Sequence, residues 1–182
     1  AASGEIVTIQ GTGTSGQGAI YLSQTNGITS YDSKIVLAGN ARISSGGGNT
    51  YLSTVDTAGS ELNIQLGGST GMGGFSLTGS SKTTGSGSVN ITRTASAGST
   101  VDFGNAVNDY TGGTTVSTGT LALGASNVLP STGALTVSGG TLSMGAFSNS
   151  VGAVSIGASG GSITSTTGVL TGTGYTFSNT SA

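Results

Sequence analysis

Apolar residues along this chain fall in short clusters in which every second position is apolar. The clearest cluster is residues 62–66, where Leu62, Ile64 and Leu66 alternate with Asn63 and Gln65. Strict alternation is typical of a β-strand with one buried face, because successive side chains point to opposite faces. The pattern therefore predicts a strand that turns its three apolar side chains inward.

Similar clusters, separated by glycine-rich segments, recur along the whole chain. A short alternating run bounded by glycine is typical of a strand that ends at a tight corner. The predicted strands are residues 5–9, 19–22, 34–37, 41–43, 62–66, 75–77, 89–91, 101–103, 114–116, 120–123, 134–137, 141–144, 153–156 and 162–164. No segment has the periodicity of a helix, so an all-β fold is expected.

The second half of the chain repeats this pattern at a nearly constant interval. Two interleaved series show it: Leu121, Leu142 and Ile163, spaced by 21 and 21 residues, and Leu135, Val154 and Tyr175, spaced by 19 and 21. Equal intervals are expected when coils of constant perimeter stack on one another. We therefore predict a parallel β-helix (β-solenoid) of roughly nine coils of about 20 residues, a single domain over residues 1–182.

One stretch also points to a family. Residues 108–116 (NDYTGGTTV), followed by residues 119–130 (GTLALGASNVLP) and by Gly140-Thr-Leu142, resemble the autotransporter-associated β-strand repeat of secreted bacterial surface proteins. The resemblance is clearest over residues 105–177, and residues 1–104 are expected to form divergent coils of the same solenoid. Asp109 departs from the small residue that the family more often has. The resemblance implies a right-handed β-helix that is exported beyond the inner membrane, and it implies no active site.

Composition supports a solenoid over a globular or disordered chain. Gly, Ser and Thr fill more than half of the sequence, yet apolar residues make up 34% and charged residues only 5%. Disordered chains usually combine low hydrophobicity with high net charge. Aromatic residues make up 5% and Trp is absent, which disfavours a large globular core. In a solenoid each coil needs to bury only a few small apolar side chains.

The same composition excludes several classes of function. The chain has no His and no Cys, so an imidazole base, thiolate chemistry and a zinc site of the usual type are not available. With a net charge of −2, the chain lacks the excess of positive charge that is typical of proteins that bind nucleic acid or anionic lipid. No apolar run is long enough for a membrane-spanning helix. No signal peptide is visible, although the small residues Ala1, Ala2 and Ser3 are compatible with the end that cleavage leaves.

Two glycine-rich segments match ligand-binding motifs in a formal sense. Residues 11–16 fit the G-x-G-x-x-G fingerprint of dinucleotide-binding proteins, but a strand, and not the required helix, is predicted after them. Residues 67–74 are similar to calcium-binding β-roll loops, but they lack the chelating Asp. We therefore expect no cofactor and no metal at either segment.

Candidate catalytic groups are few. Paired carboxylates could hydrolyse glycosides, and the available acids are Asp32, Asp56, Glu61, Asp102 and Asp109. They are scattered along the sequence, and Asp56, Glu61, Asp102 and Asp109 are expected at strand ends and corners. A Ser-Lys dyad would need Lys34 or Lys82, both of which we expect to be solvated. The expectation is that the chain has no catalytic residue.

Two further surface features could bind ligands. The five tyrosines could stack on sugars, although packing at corners is the more common role: Tyr21, Tyr31, Tyr51, Tyr110 and Tyr175. Threonine ladders could bind ice, but only isolated pairs are recognisable in the sequence, at Thr12 with Thr14 and at Thr118 with Thr120. A threonine ladder at the coil period is therefore not expected.

These observations favour a structural role. A solenoid without caps has an open strand edge at each end, and open edges recruit further strands. No capping helix is predicted at residues 1–5 or 175–182. The favoured hypothesis is a non-catalytic subunit of an extracellular filament or surface layer that stacks on itself head to tail, at the cell surface of a bacterium. The alternatives are a segment of an autotransporter passenger that acts as an adhesin stalk or sugar-binding surface, with cell-surface polysaccharide as partner, and, third, a polysaccharide-acting β-helix enzyme.

Overall fold

The fold is a β-solenoid built almost entirely from parallel strands. The computed structural model describes residues 5–67, 73–77, 81–93, 100–104 and 107–178. A 3-10 turn at Thr14–Gly16 separates the first two strands. In chain order the strands are β1 Ile6–Gly11, β2 Ile20–Tyr31, β3 Lys34–Leu52, β4 Val55–Asp56, β5 Leu62–Leu66, β6 Gly73–Leu77, β7 Thr83–Thr84, β8 Val89–Arg93, β9 Thr100–Asp102, β10 Thr114–Val116, β11 Thr120–Ala122, β12 Leu135–Val137, β13 Thr141–Ser143, β14 Asn149–Ser150, β15 Ala153–Ile156, β16 Ser162–Thr164, β17 Leu170–Thr171 and β18 Gly174–Phe177.

The strands stack in three parallel ladders, one on each face of the solenoid. The first ladder runs from the middle of β3 through β5, β8, β10, β12 and β15 to β18, and the second from the end of β3 through β6, β9, β11 and β13 to β16. Strand β2 lies one coil before β3, with its start paired to the middle of β3 on the first face and its end paired to the end of β3 on the second. In the third, β1, the start of β3, β4 and β7 pair in succession, and β14 pairs with β17 further along the chain. Strand β3 contributes to all three faces because it continues through two corners.

The turns are fewer and longer than the sequence predicted. The first ladder contains seven strands from β3 to β18, and successive strands are one turn apart, so it spans six turns. Its in-register partners Leu62, Val89 and Thr114 are more widely spaced along the chain than Thr114, Leu135 and Val154 are. The regular interval of the second half does not extend to the first half, so a coil number derived from that interval is too high.

The predicted alternation places the core correctly. Leu62, Ile64 and Leu66 are buried while Asn63 and Gln65 are half-exposed. Both apolar series found in the sequence are columns of in-register neighbours: Leu121, Leu142 and Ile163 in the second ladder, and Leu135, Val154 and Tyr175 in the first. Each coil therefore stacks like side chains on like, and the interior is a bundle of apolar columns parallel to the axis.

Buried asparagines join successive coils at the corner of the third face. Asn108 Oδ1 accepts the backbone N–H of Thr83 (2.6 Å), and its Nδ2 donates to the carbonyl oxygen of Val128 (2.9 Å). Asn149 Oδ1 accepts the N–H groups of Val128 (2.9 Å) and Leu129 (3.2 Å). These amides satisfy backbone groups that the short strands of this corner leave without ladder partners.

The largest buried side chain is Tyr110, which sits beside Phe103. The two rings meet edge to face, with centroids 6.5 Å apart and an interplanar angle of 85°. The Tyr110 hydroxyl is hydrogen-bonded to Thr114 Oγ1 at 2.6 Å. Burial raises the pKa of Tyr110, because its phenolate would lose its hydration.

Shortening a column residue should destabilise the solenoid much more than shortening its outward neighbour. Leu142 is fully buried between Leu121 and Ile163. We expect Leu142→Ala to lower the free energy of unfolding by about 2–5 kcal/mol, because it removes apolar contacts and leaves a cavity. Urea denaturation followed by circular dichroism measures this, with Ser143→Ala on the outward face as the matched control. Equal losses for both variants would contradict the assigned core.

The buried Tyr110 should make the fold sensitive to alkali. In the unfolded chain a tyrosine ionises near pH 10, whereas folded Tyr110 keeps its proton, so stability is fully present below about pH 10 and falls as the pH rises beyond it. We expect the urea midpoint of the wild type to fall more steeply between pH 9 and 11 than that of Tyr110→Phe. At pH 7 the variant should lose about 1 kcal/mol with the hydrogen bond to Thr114. Parallel pH profiles for the two proteins would contradict the assignment.

Candidate functional site

The two lysines form ion pairs between coils on the third face. Lys34 Nζ lies 3.1 Å from Asp56 Oδ2, and Lys82 Nζ lies 2.5 Å from Asp109 Oδ2. Both pairs are partly exposed, and the hydrogen bond from Lys82, followed by one from Thr84, lowers the pKa of Asp109. Sequence analysis expected solvated lysines, and the structure adds a carboxylate partner from the next coil to each. Each lysine nitrogen is therefore directed at a carboxylate, which is not the arrangement of a Ser-Lys dyad.

Asp56 and Asp102 are the last residues of strands β4 and β9, which confirms the strand-end positions predicted for them. Asp56 Oδ1 accepts the N–H of Ala58 (3.1 Å), and Asp102 Oδ1 accepts the N–H of Gly104 (2.8 Å). These are the short-range hydrogen bonds that Asp typically makes at turns. Within the described ranges, no three acidic side chains come together in a way that could hold a metal ion.

The glycine-rich segment at residues 11–16 makes a corner between β1 and β2. It contains the 3-10 turn Thr14–Gly16 and continues into strand β2, as the sequence predicted, so the helix N-terminus of a dinucleotide site is not present there. Positive φ angles at Gly11, Gly13, Ser15 and Gly16 allow this tight path. The other glycine-rich candidate, residues 67–74, lies mostly outside the described residues.

A threonine ladder at the coil period does exist, and the expectation of isolated pairs was wrong. Thr120 is in register with Thr100 on one side and with Thr141 on the other. Ser162 continues this column on the second face. The column lies one position before the series of Leu121 and Leu142 and has the same interval of about 20 residues, so the sequence contained the signal, and only the apolar positions were compared between coils. The column two positions further along the same strands contains Asp102 and Ala122, so this face is not a uniform threonine array.

The tyrosines occupy three kinds of environment. Tyr110 is fully buried and cannot stack on a sugar. Tyr31 and Tyr51 line an outer groove of about 520 Å³ together with Asp32 and several serines. Tyr21 lines a second groove, and Tyr175 lies on the last described strand. The prediction that the tyrosines pack at corners is therefore correct for only some of them.

We call the second groove the Arg42 groove; its polar lining residues are Ser15, Gln17, Tyr21, Arg42, Ser44, Ser45 and Gln65. It has a volume of about 430 Å³ and crosses three coils on the first face, because Tyr21, Ser44 and Gln65 are in-register neighbours. Arg42 points outward between the buried Ala41 and Ile43. Sequence analysis did not single out Arg42, although a lone arginine in an alternating strand is a recognisable signal.

The Arg42 side chain fixes the wall of this groove. Its Nη1 donates to the carbonyl oxygen of Gly16 (2.8 Å), which holds the 3-10 turn against the first face, and more weakly to Gln65 Oε1 (3.5 Å). Ser44 Oγ also donates to Gln65 Oε1 (3.2 Å). The Nε atom of Arg42 is buried and has no hydrogen-bond partner. The guanidinium is thus held in place with part of its donor capacity unused.

The last described coil forms a second candidate surface. Tyr175 and Phe177 of β18 are 51% and 69% exposed, although their in-register neighbours Val154 and Ile156 are buried and half-buried. Val169, at the preceding corner, is also exposed. The Tyr175 hydroxyl donates to Leu170 O (2.9 Å) and accepts the Gly172 N–H (2.8 Å), so the ring is held over its own corner. We call Tyr175 and Phe177 the apolar end.

Among the residues that the structure describes, no helix has the length and the apolar character needed to cross a membrane. Comparisons of this chain with protein-family models, with curated proteins and with solved structures found no match. The fold and these surfaces therefore carry the functional argument.

Proposed function

We propose that this chain is a non-catalytic structural β-solenoid that extends by end-to-end stacking of coils into a filament or surface layer outside the cell. The observation that supports it most directly is the apolar end. Tyr175 and Phe177 continue core columns of the first ladder, and yet both are largely exposed. A further coil stacked on β18 would cover them just as each coil covers the one before it.

The energetics of this surface favour an added coil. Fully burying a large apolar side chain is worth about 1.5–3 kcal/mol, and β18 offers two such side chains, Tyr175 and Phe177. Strands β16 and β18 end the described sheet, so each has a ladder neighbour on one side only. Open parallel edges with free N–H and C=O groups are templates for another strand.

The opposite end of the described solenoid is open as well. Strand β1 pairs with β3 alone, and Ile6 on this strand is 65% exposed. The two ends are different surfaces, so joining them gives a heterologous contact that repeats without closing. Such a contact produces a filament when the rotation between subunits does not close a ring.

The distribution of charge is compatible with this contact. All ten charged residues lie between Glu5 and Asp109, and residues 110–182 contain none. Charged side chains and prolines on edge strands are the usual means of preventing edge-to-edge association. The C-terminal coils contain no charged residue, and the single proline, Pro130, is not on either of the edge strands β16 and β18. Nothing in this half opposes stacking electrostatically.

A second candidate is that the solenoid is a segment of an exported autotransporter passenger, where it acts as an adhesin stalk. The observation in its favour is that the segments that carry the family resemblance, residues 108–116, 119–130 and 140–142, lie in regular coils that contain β10, β11 and β13. In that case the next coil of the same polypeptide would cover the apolar end. Both candidates are structural, and both would act at the bacterial cell surface or in the extracellular space.

A lysine at the apolar end should block assembly. We expect the 182-residue chain to form fibres in negative-stain electron microscopy and to sediment as large species. Phe177→Lys should raise the concentration needed for assembly by about ten-fold or more, because a charge replaces an apolar contact. Since Phe177 is 69% exposed, its replacement should change the unfolding free energy by less than about 0.5 kcal/mol.

The matched control is Thr136→Lys, which adds the same charge on the outward face of the central strand β12. This variant should assemble as the wild type does. Equal inhibition by both lysines would indicate a general charge effect and would contradict end stacking. A wild-type chain that stays monomeric at all concentrations would overturn the filament proposal and favour the stalk.

A further inference from the structure

The Arg42 groove has the properties of a ligand site that is independent of the solenoid ends. Its volume of about 430 Å³ lies within the range of small-molecule sites. Among the described residues that line it, Arg42 is the one that carries a charge, in a chain whose net charge is −2. The groove is therefore locally positive on a weakly acidic protein.

The charge of Arg42 is not neutralised within the described part of the chain. Lys34 and Lys82 each have a carboxylate within 3.1 Å, whereas no described carboxylate comes within ion-pair distance of Arg42. Glu61 lies nearby and lines a smaller groove of about 210 Å³ on the other side of Arg42, but it makes no ion pair with it. An arginine without a carboxylate partner is suited to bind an anionic group through a donor that is still free. Because Nη1 is hydrogen-bonded and Nε is buried, Nη2 is left for this role.

The rest of the lining suits the hydroxyl groups and the ring of a sugar. Tyr21 is 43% exposed at the rim and packs over Gly46, where an added Cβ would clash with the Tyr21 hydroxyl oxygen. Ser15, Gln17 and Gln65 supply neutral donors and acceptors around the cavity. An aromatic face, several neutral polar groups and one fixed cation together match an acidic pyranose.

We propose that the Arg42 groove binds a saccharide that carries a carboxylate, with Arg42 on the carboxylate and Tyr21 against the sugar ring. The site is on the outer first face and leaves both ends of the solenoid free. Binding is therefore independent of end-to-end stacking, and either property can be lost without the other.

The test is a titration of the 182-residue chain with trigalacturonate, followed by isothermal titration calorimetry and by tyrosine fluorescence, which no tryptophan obscures. The methyl ester of the same trisaccharide keeps the shape and removes the charge, and acetate supplies the carboxylate alone. We expect trigalacturonate to bind at least about ten-fold more tightly than either, because a charge-assisted hydrogen bond and the sugar contacts both contribute.

Variants locate the site. Arg42→Gln should weaken binding by about ten-fold or more, whereas Arg93→Gln, which removes the same charge on β8 outside the groove, should leave it within about two-fold. Tyr21→Ala should weaken binding and Tyr21→Phe should retain it, because the ring face is what the sugar contacts. Circular dichroism and urea midpoints check that each variant is folded.

Three outcomes would overturn the proposal. The first is no binding of trigalacturonate by the folded wild-type chain. The second is equal binding of the ester, which would indicate a neutral saccharide site, or equal binding of acetate, which would indicate a simple anion site. The third is an equal effect of Arg42→Gln and Arg93→Gln.

Discussion

The in-register stacking of corresponding positions from coil to coil is the interaction on which this structure depends. Each short strand turns only a few side chains inward, far too few to form a core within one coil. Columns of in-register side chains solve this problem: Leu142, for example, is covered by Leu121 on one side and by Ile163 on the other. Backbone hydrogen bonds between parallel strands hold the columns in register. Stability is thus a property of neighbouring coils.

This dependence explains why the two proposed functional surfaces have such different origins. At the ends, a coil without a neighbour leaves column residues such as Phe177 exposed, so the surface arises from the repeat itself. The Arg42 groove arises where the repeat is interrupted. There the corner between β1 and β2 forms a 3-10 turn, and Arg42 holds that turn against the first face through Gly16. Regular coils favour self-association, and irregular coils provide room for a ligand.

Much of the fold could be predicted because solenoid coils are locally encoded. Alternation at Leu62, Ile64 and Leu66 predicted the buried face, and the regular interval of the second half predicted which residues stack there. The number of coils was overestimated because the turn from Leu62 to its in-register partner Val89 is longer than that interval. The column of Thr100, Thr120 and Thr141 was missed for a different reason: it has the regular interval, but polar outward positions were not compared between coils.

By itself, the sequence determined most strands of the first and second ladders, the direction of their side chains and the absence of histidine and cysteine chemistry, because these depend on residue type and on spacing along one strand. It did not predict the two-residue strands β4, β7, β14 and β17, which are too short to show alternation. Only the tertiary structure decided which coils meet. It paired Lys34 with Asp56 and Lys82 with Asp109, left Arg42 without a carboxylate among the described residues, and exposed Phe177 at the end of a core column. Those outcomes depend on contacts between residues that are a whole coil apart in the sequence, and the length of each corner sets which residues those are.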